Sequence, residues 1–237
     1  MGFEVVTRTH VGHRRKINED ALLSRPDLGL WAVADGMGGH DAGDIASAMV
    51  VEGLSSCPPG LAADAQAEAV RVLLQGVNAR LREMGNEGPR ARTIGSTVVV
   101  LSANAGAYVC QWAGDSRGYL ARGGALVQLT RDHSLVQQLV DLGELTAAEA
   151  ETHPDGNVVT RAVGADRALD VDSVSGEIAP GDAFILASDG LTRLVSPAEL
   201  LAALQDADME GAARRLLDAC LDRGAPDNIS FVILREA

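Results

Sequence analysis

Hydrophobic residues recur along the chain with spacings that predict several helices. Between residues 67 and 84, apolar side chains stand at positions 70, 73, 74, 77, 81 and 84, which is the spacing of a helix with one buried face. Residues 45–54 predict a helix just before it. Residues 196–207 begin with Ser-Pro, a favourable cap and first-turn pair, and residues 210–224 predict a helix that ends at Gly224.

Short apolar runs separated by glycine-rich turns predict strands. Four runs between residues 96 and 130 predict an antiparallel meander, and residues 182–188 and 229–236 predict two more strands. Residues 134–143 and 146–151 predict short helices in a polar region. Strands come in groups and helices in pairs, without regular alternation, so the pattern predicts an α+β fold with strand layers covered by helices.

Length and composition favour one domain over residues 1–237. A chain of 237 residues that is 46% hydrophobic can bury a full core, although aromatic residues are only 3% of it. No apolar run reaches about 18 residues, and the N-terminal residues lack the apolar stretch of a signal peptide. Cys57, Cys110 and Cys220 have no metal-type spacing and are expected to be reduced thiols. We therefore expect a cytoplasmic protein without a membrane segment.

The net charge of −13 argues against a nucleic-acid partner, which requires clustered Lys and Arg. It would also repel a phosphorylated substrate, unless a bound divalent cation reversed the sign locally.

An apolar run meets an aspartate at four places, Asp35, Asp115, Asp189 and Asp227. Asp-Gly pairs between strands are most often turns. After Asp35, however, the sequence DGMGGHDAG shows no second strand pattern, which indicates a loop shaped around a ligand. Strand ends can converge on one rim, and converging carboxylates need a compensating positive charge. Without a His or Cys cluster, oxygen ligands favour Mg²⁺ or Mn²⁺.

Eight motifs in order along nearly the whole chain resemble the PPM family, the metal-dependent (type 2C) protein serine/threonine phosphatases, in its bacterial single-domain form. The motifs are RKINED (15–20), VADGMGGHDAGDIAS (33–47), GST (95–97), WAGDSRGYL (112–120), LTRDHS (129–134), NVVTRAVG (157–164), LASDGL (186–191) and PDNIS (226–230). The resemblance implies a central β-sandwich of two antiparallel sheets flanked by α-helix pairs, in α-β-β-α layers. Thr9-His10 and Ile17 depart from the family pattern without touching a predicted ligand position.

The resemblance also implies a metal site with two core Mn²⁺ or Mg²⁺ ions and a third, weaker ion. Asp35 would bridge the two core ions, and the carbonyl of Gly36 would bind the first. Glu19 would act on the first ion through water. Asp189 and Asp227 would complete the second ion, and Asp115 would hold the third together with Asp189.

Two further residues have roles in substrate chemistry under the same resemblance. Arg15 would grip the phosphate, for which its guanidinium fork is suited. The neighbouring Arg14 is the alternative, although the spacing to Asn18 favours Arg15. His40 has the near-neutral pKa of a general acid, with a loop-ordering hydrogen bond as its alternative. His133 is interpreted as structural.

The implied function is the hydrolysis of phosphoserine and phosphothreonine in proteins by a metal-activated water, reversing bacterial Ser/Thr kinase signalling. The expected partners are phosphorylated proteins, including a cognate kinase, and the expected state is a monomer. Residues 133–156 resemble the family's mobile flap beside the site. A catalytically inactive binding module on the same fold, and a scaffold whose Asp-Gly pairs are only turns, are the alternatives.

Overall fold

The computed structural model describes residues 2–38, 42–87 and 93–236. This part of the chain contains eleven strands and seven helices. The strands are β1 (Phe3–His10), β2 (Asp20–Arg25), β3 (Leu30–Gly38), β4 (Ile94–Ser96), β5 (Val98–Asn104), β6 (Ala107–Ala113), β7 (Arg117–Arg122), β8 (Ala125–Gln128), β9 (Asp172–Glu177), β10 (Ala183–Ala187) and β11 (Ile229–Glu236). The helices are α1 (Gly43–Ser55), α2 (Ala63–Asn86), α3 (Leu135–Asp141), α4 (Ala147–Glu151), α5 (Asp189–Thr192), α6 (Pro197–Gln205) and α7 (Met209–Asp222).

The strands form two antiparallel sheets that pack face to face. The first sheet has the order β1-β11-β10-β7-β8, and the second has the order β2-β3-β5-β6-β9, with β4 paired to the end of β3. Alternate side chains of both sheets point into the space between them, as expected for a sandwich. Fully buried side chains of this inner layer include Trp31, Leu101, Phe184, Leu186 and Leu234. The predicted α+β sandwich is confirmed.

Helices cover the outer face of each sheet. One core cluster joins α1 and α2 to the second sheet, and another joins α6 and α7 to the first. Helix α2 buries Val70, Leu74, Val77 and Leu81, four positions of the predicted apolar face. Helix α6 begins with a capping box formed by Ser196 and Glu199, which fixes where the helix starts. No helix of the described ranges is long and apolar enough to cross a bilayer.

The predicted meander between residues 96 and 130 is wrong, because its four strands are divided between the two sheets. Strands β5 and β6 pair in the second sheet, whereas β7 and β8 pair in the first. The chain crosses between the sheets at Gly114, whose φ is 119° and whose hypothetical Cβ would lie 2.5 Å from Cβ of Thr97. Local turn patterns do not distinguish a hairpin from such a crossing. The crossing places Asp115 at the rim of the sandwich.

Residues 133–156, the flap segment, contain α3 and α4 and lie outside both sheets. Backbone bonds tie its beginning to the residues that follow its end: Leu135 donates to the Val158 carbonyl at 2.9 Å, and Thr160 donates to the His133 carbonyl at 2.8 Å. The His133 ring stacks on Trp112 and accepts a hydrogen bond from the Gly114 N–H. These contacts agree with a structural role for His133.

Candidate active site

One cleft at an edge of the sandwich is lined by every predicted site residue that the structure describes. Its volume is about 310 Å³. His40 lies outside the described residues. The cleft is also lined by Asn157 and Val159, which directly follow the flap segment. The predicted residues along its wall are Arg15, Glu19, Asp35, Gly36, Asp115, Asp189 and Asp227.

Strand ends from both sheets bring the four aspartates together. Asp35 lies near the end of β3, and Asp115 lies at the crossing between β6 and β7. Asp189 is the first residue of α5 and lies two positions after the last residue of β10, and Asp227 precedes β11 by two positions. Each of the four aspartates therefore lies close to the end or start of a strand, and the four share one rim, as predicted.

The glycines that follow Asp35 and Asp189 permit close packing and do not form turns. Gly36 lies within β3, where an added Cβ would stand 2.0 Å from the Gly43 carbonyl oxygen. Gly190 lies in α5, where an added Cβ would stand 1.8 Å from the Asn228 carbonyl oxygen. Neither glycine has a positive φ. The hairpin-turn alternative is therefore wrong at both positions.

Strand β3 also continues past Asp35, contrary to the expectation of a loop there. Met37 pairs with Gly95 of β4, and Gly38 pairs with Ile94. The sequence shows no apolar alternation in these residues, because backbone pairing extends the strand here without a row of buried apolar side chains. The remaining part of the glycine-rich motif, residues 39–41, lies outside the described residues.

Hydrogen bonds hold the backbone of Asp35 in place. Its N–H donates to Oγ1 of Thr97 at 3.2 Å, and its carbonyl accepts the Thr97 N–H at 2.8 Å and the Ser96 hydroxyl at 3.0 Å. The Thr97 hydroxyl is in turn 2.7 Å from the Ser116 hydroxyl, next to Asp115. The GST motif thus connects the positions of Asp35 and Asp115.

The clustered carboxylates raise one another's pKa values. Burial, and then repulsion from Asp20, Asp189, Asp115 and Asp227, raises the pKa of Asp35 well above its ordinary range. Burial and repulsion from Asp189 raise the pKa of Asp115 to about 7. Burial also raises the pKa of Asp189, against the opposing effect of Arg193. A group of carboxyls with these shifts favours protonation or a bound cation.

Asp20 is a member of this cluster that the sequence interpretation missed. It is the register partner of Asp35 across the β2–β3 pair. Its Oδ2 accepts a hydrogen bond from the Ser188 hydroxyl at 3.0 Å, while its buried Oδ1 has no partner among the described residues. Burial raises its pKa to about 7, and hydrogen bonds from Ser230 and Ser188 oppose this shift. The signal was present as the last residue of RKINED, where only Arg15 and Glu19 were given roles.

Glu19 lies on the side of the cleft next to the start of α1. Its N–H donates to Oδ1 of Asn228 at 2.9 Å, and its carbonyl accepts the Gly36 N–H at 3.0 Å. An added Cβ on Gly43 would meet the Glu19 carboxylate at 2.3 Å, so α1 begins in contact with it. Burial raises the pKa of Glu19, and the positive charge of Arg15 opposes the shift.

Two arginines supply positive charge to the cluster. Arg15 donates to Oδ2 of Asp227 at 2.7 Å, with about half of its side chain exposed to solvent. Arg193 lies with Nε 2.9 Å from Oδ2 of Asp189 and Nη2 3.5 Å from Oδ2 of Asp115. Arg193 was not predicted as a site residue. Its sequence signal is the spacing of four residues from Asp189 in SDGLTR, which places both side chains on one side of a helical turn.

The donor set fits a hard divalent cation that keeps several water ligands. Within the described ranges, no three His, Cys, Asp or Glu side chains are gathered closely enough to form a complete protein ligand set. Mg²⁺ and Mn²⁺ need no such set, because one or two carboxylates per ion and retained waters are the usual arrangement for Mg²⁺. The unpartnered oxygen of Asp20 and the mutual repulsion within the cluster both favour added positive charge.

Known proteins resemble this chain along most of its length. The family model described as "Protein phosphatase 2C" matches residues 9–226. The serine/threonine protein phosphatase PstP of Mycobacterium tuberculosis is 35% identical over 229 residues, which are 95% of this chain and 43% of that protein. The chain therefore spans less than half the length of PstP. The protein phosphatase PhpP of Streptococcus pneumoniae is 33% identical, over 98% of this chain and 96% of that protein.

Solved structures agree with this relationship. PppA of Pseudomonas aeruginosa, described as a key regulatory component of T6SS, superposes with a TM-score of 0.91 at 42% identity, covering 99% of this chain and 98% of that one. The PstP catalytic domain in complex with two manganese ions gives a TM-score of 0.86 at 34% identity, covering 99% and 98%. With a family match over residues 9–226 and relatives above 30% identity along nearly its full length, the chain belongs to the protein phosphatase 2C family.

Proposed function

We propose that the chain hydrolyses phosphoserine and phosphothreonine in proteins with a water activated by two Mn²⁺ or Mg²⁺ ions. The observation that carries the proposal is the convergence of Asp35, Asp115, Asp189 and Asp227 from both sheets around one cleft, with Arg15 at its edge. Relatives named serine/threonine protein phosphatases support the substrate class. A relative crystallised with two manganese ions supports the metal.

Different residues of the chain would bind each ion. Asp35 would be shared by both ions, with the Gly36 carbonyl and, through water, Glu19 on the first. Asp189 and Asp227 would complete the second. When bound, two such ions supply a nucleophilic water at neutral pH and neutralise charge on the phosphate. A third, weaker ion on Asp115 and Asp189 is the remaining part of this metal proposal.

Arg15 binds the phosphate in this proposal. Its guanidinium is paired with Asp227, and its side chain is half exposed at the cleft, where a ligand can reach it. A cation on Asp227 would compete with Arg15 for that carboxylate and leave the guanidinium to the phosphate. Charge-assisted hydrogen bonds of this kind contribute roughly 1.5–3 kcal/mol each.

His40 is proposed as the general acid that protonates the departing serine or threonine oxygen. The support is its sequence position, five residues after Asp35, and the ordinary pKa of histidine. The flap segment is proposed to select substrate proteins, because the residues that follow it line the cleft. The physiological role would be to reverse Ser/Thr kinase signalling, with the kinase itself among the substrates.

A nucleophilic cysteine is the main alternative to a metal mechanism, and the structure disfavours it. Cys57, Cys110 and Cys220 are all buried and do not line the cleft. Burial raises the pKa of Cys110 to about 12 and that of Cys220 to about 11, so both remain protonated thiols at neutral pH.

The test is turnover of a phosphothreonine peptide by chelator-treated protein before and after addition of Mn²⁺ or Mg²⁺. We expect no turnover without metal and full recovery with it. A variant with all three cysteines changed to serine serves as the control and should show the same metal dependence. Full turnover in metal-free buffer would rule out the metal mechanism, and loss of turnover only in the cysteine variant would point to a thiol.

A further inference from the structure

Arg193 occupies a specific place between two parts of the site. It follows α5, and its backbone N–H donates to the carbonyl of Asp189 at 2.9 Å, which holds the side chain over that residue. Its guanidinium then contacts the carboxylate of Asp189 at 2.9 Å and that of Asp115 at 3.5 Å. These are the two carboxylates proposed to hold the third, weaker ion.

Asp115 depends on this contact for its positive partner. Its side chain is only 7% exposed, and among the described residues Arg193 is the single basic group within 4.0 Å of it. The Arg193 side chain is itself 39% exposed, so its charge can leave the pair without being buried. A cation placed between Asp115 and Asp189 would meet the same two carboxylates from the same side, so the cation and Arg193 would compete.

The same guanidinium also contacts the flap segment. Nη2 of Arg193 donates to the carbonyl of Gly156 at 2.9 Å. Gly156 ends the flap segment, and the next residue, Asn157, lines the cleft. One side chain therefore joins the outer carboxylates to the end of the flap.

We infer that Arg193 is a tethered counter-cation that competes with the third ion for Asp115 and Asp189 and couples occupancy of that outer site to the flap segment. The inference rests on the proposed metal-dependent function. Filling the outer site displaces the guanidinium and releases its hydrogen bond to Gly156. Removing the guanidinium strengthens the outer site and loosens the flap, while both core ions remain bound.

Calorimetric titration with Mn²⁺ tests the first half of this inference. In Arg193→Ala, the weak binding step should tighten by up to about fivefold, the upper end of what is expected when a partly exposed ion pair no longer competes. Arg193→Lys should fall between the wild type and Arg193→Ala, since a single ammonium cannot span both carboxylates as a guanidinium does. Asp115→Asn should abolish the weak step in either background.

Amide hydrogen exchange at residues 155–157 tests the second half and does not depend on turnover. Exchange should be faster in metal-free Arg193→Ala than in the metal-free wild type, and should rise in the wild type as the weak site fills. Arg80→Ala is the matched control, because it removes an arginine on the exposed side of α2 whose single ion-pair partner among the described residues is Glu83. It should change neither readout.

The outcomes separate the two proposals. An unchanged or weakened outer site in Arg193→Ala, with both core ions still bound, would overturn the role of Arg193 alone. Unchanged exchange at residues 155–157 would remove the coupling to the flap. A wild-type protein that binds no Mn²⁺ would overturn the metal mechanism and this inference together.

Discussion

Arg15 donates a hydrogen bond of 2.7 Å to Asp227, which joins the proposed phosphate ligand to a proposed metal ligand across 212 positions of sequence. Arg15 also faces the negative charges of Glu19 and Asp35, and Asp227 together with these charges raises its pKa. Metal binding and phosphate binding should therefore affect each other at this point.

Arg15→Ala should raise the KM for a phosphothreonine peptide by about 10- to 100-fold, as expected for losing roughly 1.5–3 kcal/mol of charge-assisted hydrogen bonding. Mn²⁺ affinity should be unchanged or slightly tighter, because Asp227 loses a competing partner. Steady-state kinetics and calorimetry measure the two effects. Arg14→Ala is the control, and a raised KM in that variant with a normal one in Arg15→Ala would reverse the assignment.

Gly36→Ala should destabilise the protein and disrupt the site. The new Cβ would stand 2.0 Å from the Gly43 carbonyl oxygen and 2.6 Å from the Glu19 carbonyl oxygen, both of them backbone atoms. Overpacking of this kind costs about 1–3 kcal/mol, and the shift would move Glu19. The Tm of thermal unfolding and the affinity for Mn²⁺ should both fall.

Gly76→Ala provides the matched control for that substitution. Gly76 lies on the exposed side of α2, and an added Cβ there meets nothing within 4 Å. The same chemical change should raise stability there by about 1 kcal/mol, through the helix propensity of alanine. An equal change in stability in the two variants would show that the close contact at Gly36 does not determine stability.

The sequence predicted the helices and the order of the site motifs well, because each depends on local information. The apolar face of α2 and the capping of α6 by Ser196 are of this kind. The path of the chain between β6 and β7 could not be predicted. A glycine such as Gly114 is the same local signal for a hairpin as for the crossing between sheets that the structure shows.

Contacts between distant segments were the part of the site that sequence patterns could not supply. Asp20 joins the cluster through strand register with Asp35, and Arg193 joins it by reaching Asp115, 78 positions away in the sequence. Neither fact is encoded in the spacing of a single motif. The first depends on the register of β2 against β3, and the second on the pairing of β10 with β7, which brings the segment after β10 next to Asp115.

The stability of the metal-free protein should fall as pH rises from about 4 to above 7. Folding raises the pKa of Asp115 from 3.8 to about 7, mainly through burial and repulsion from Asp189. A carboxyl with a raised pKa favours the folded state fully below its unfolded pKa, and this contribution is lost as pH rises through about 7. Saturating Mn²⁺ should remove most of the loss by neutralising the cluster.

Asp115→Asn isolates this effect from other titrating groups. In chelator-treated protein, it should stabilise relative to wild type at pH 8 and have little effect at about pH 3, where Asp115 is mostly protonated in both states. Each kcal/mol corresponds to about 2–4 °C in Tm for a chain of this size. The measurement is thermal unfolding of both proteins at the two pH values. An equal difference in Tm between variant and wild type at both pH values would contradict the raised pKa of Asp115.

The two aspartates Asp35 and Asp115 should respond differently to the same change to asparagine. Asp35 is proposed to serve both core ions, so Asp35→Asn should abolish tight Mn²⁺ binding and turnover together. Asp115 is proposed to serve only the outer ion, so Asp115→Asn should still bind two Mn²⁺ ions tightly and yet turn over phosphopeptides more slowly.

The asymmetry follows from how many ions lose compensating charge. A shared carboxylate compensates both core ions, whereas a carboxylate at the outer site, already paired with Arg193 at 3.5 Å, compensates one ion at most. Calorimetry gives the number of tight sites, and single-turnover kinetics gives the chemical step. Loss of all tight binding in Asp115→Asn would place Asp115 in the central pair. Wild-type binding and turnover in that variant would instead mean that Asp115 only shapes the chain where it crosses between the sheets.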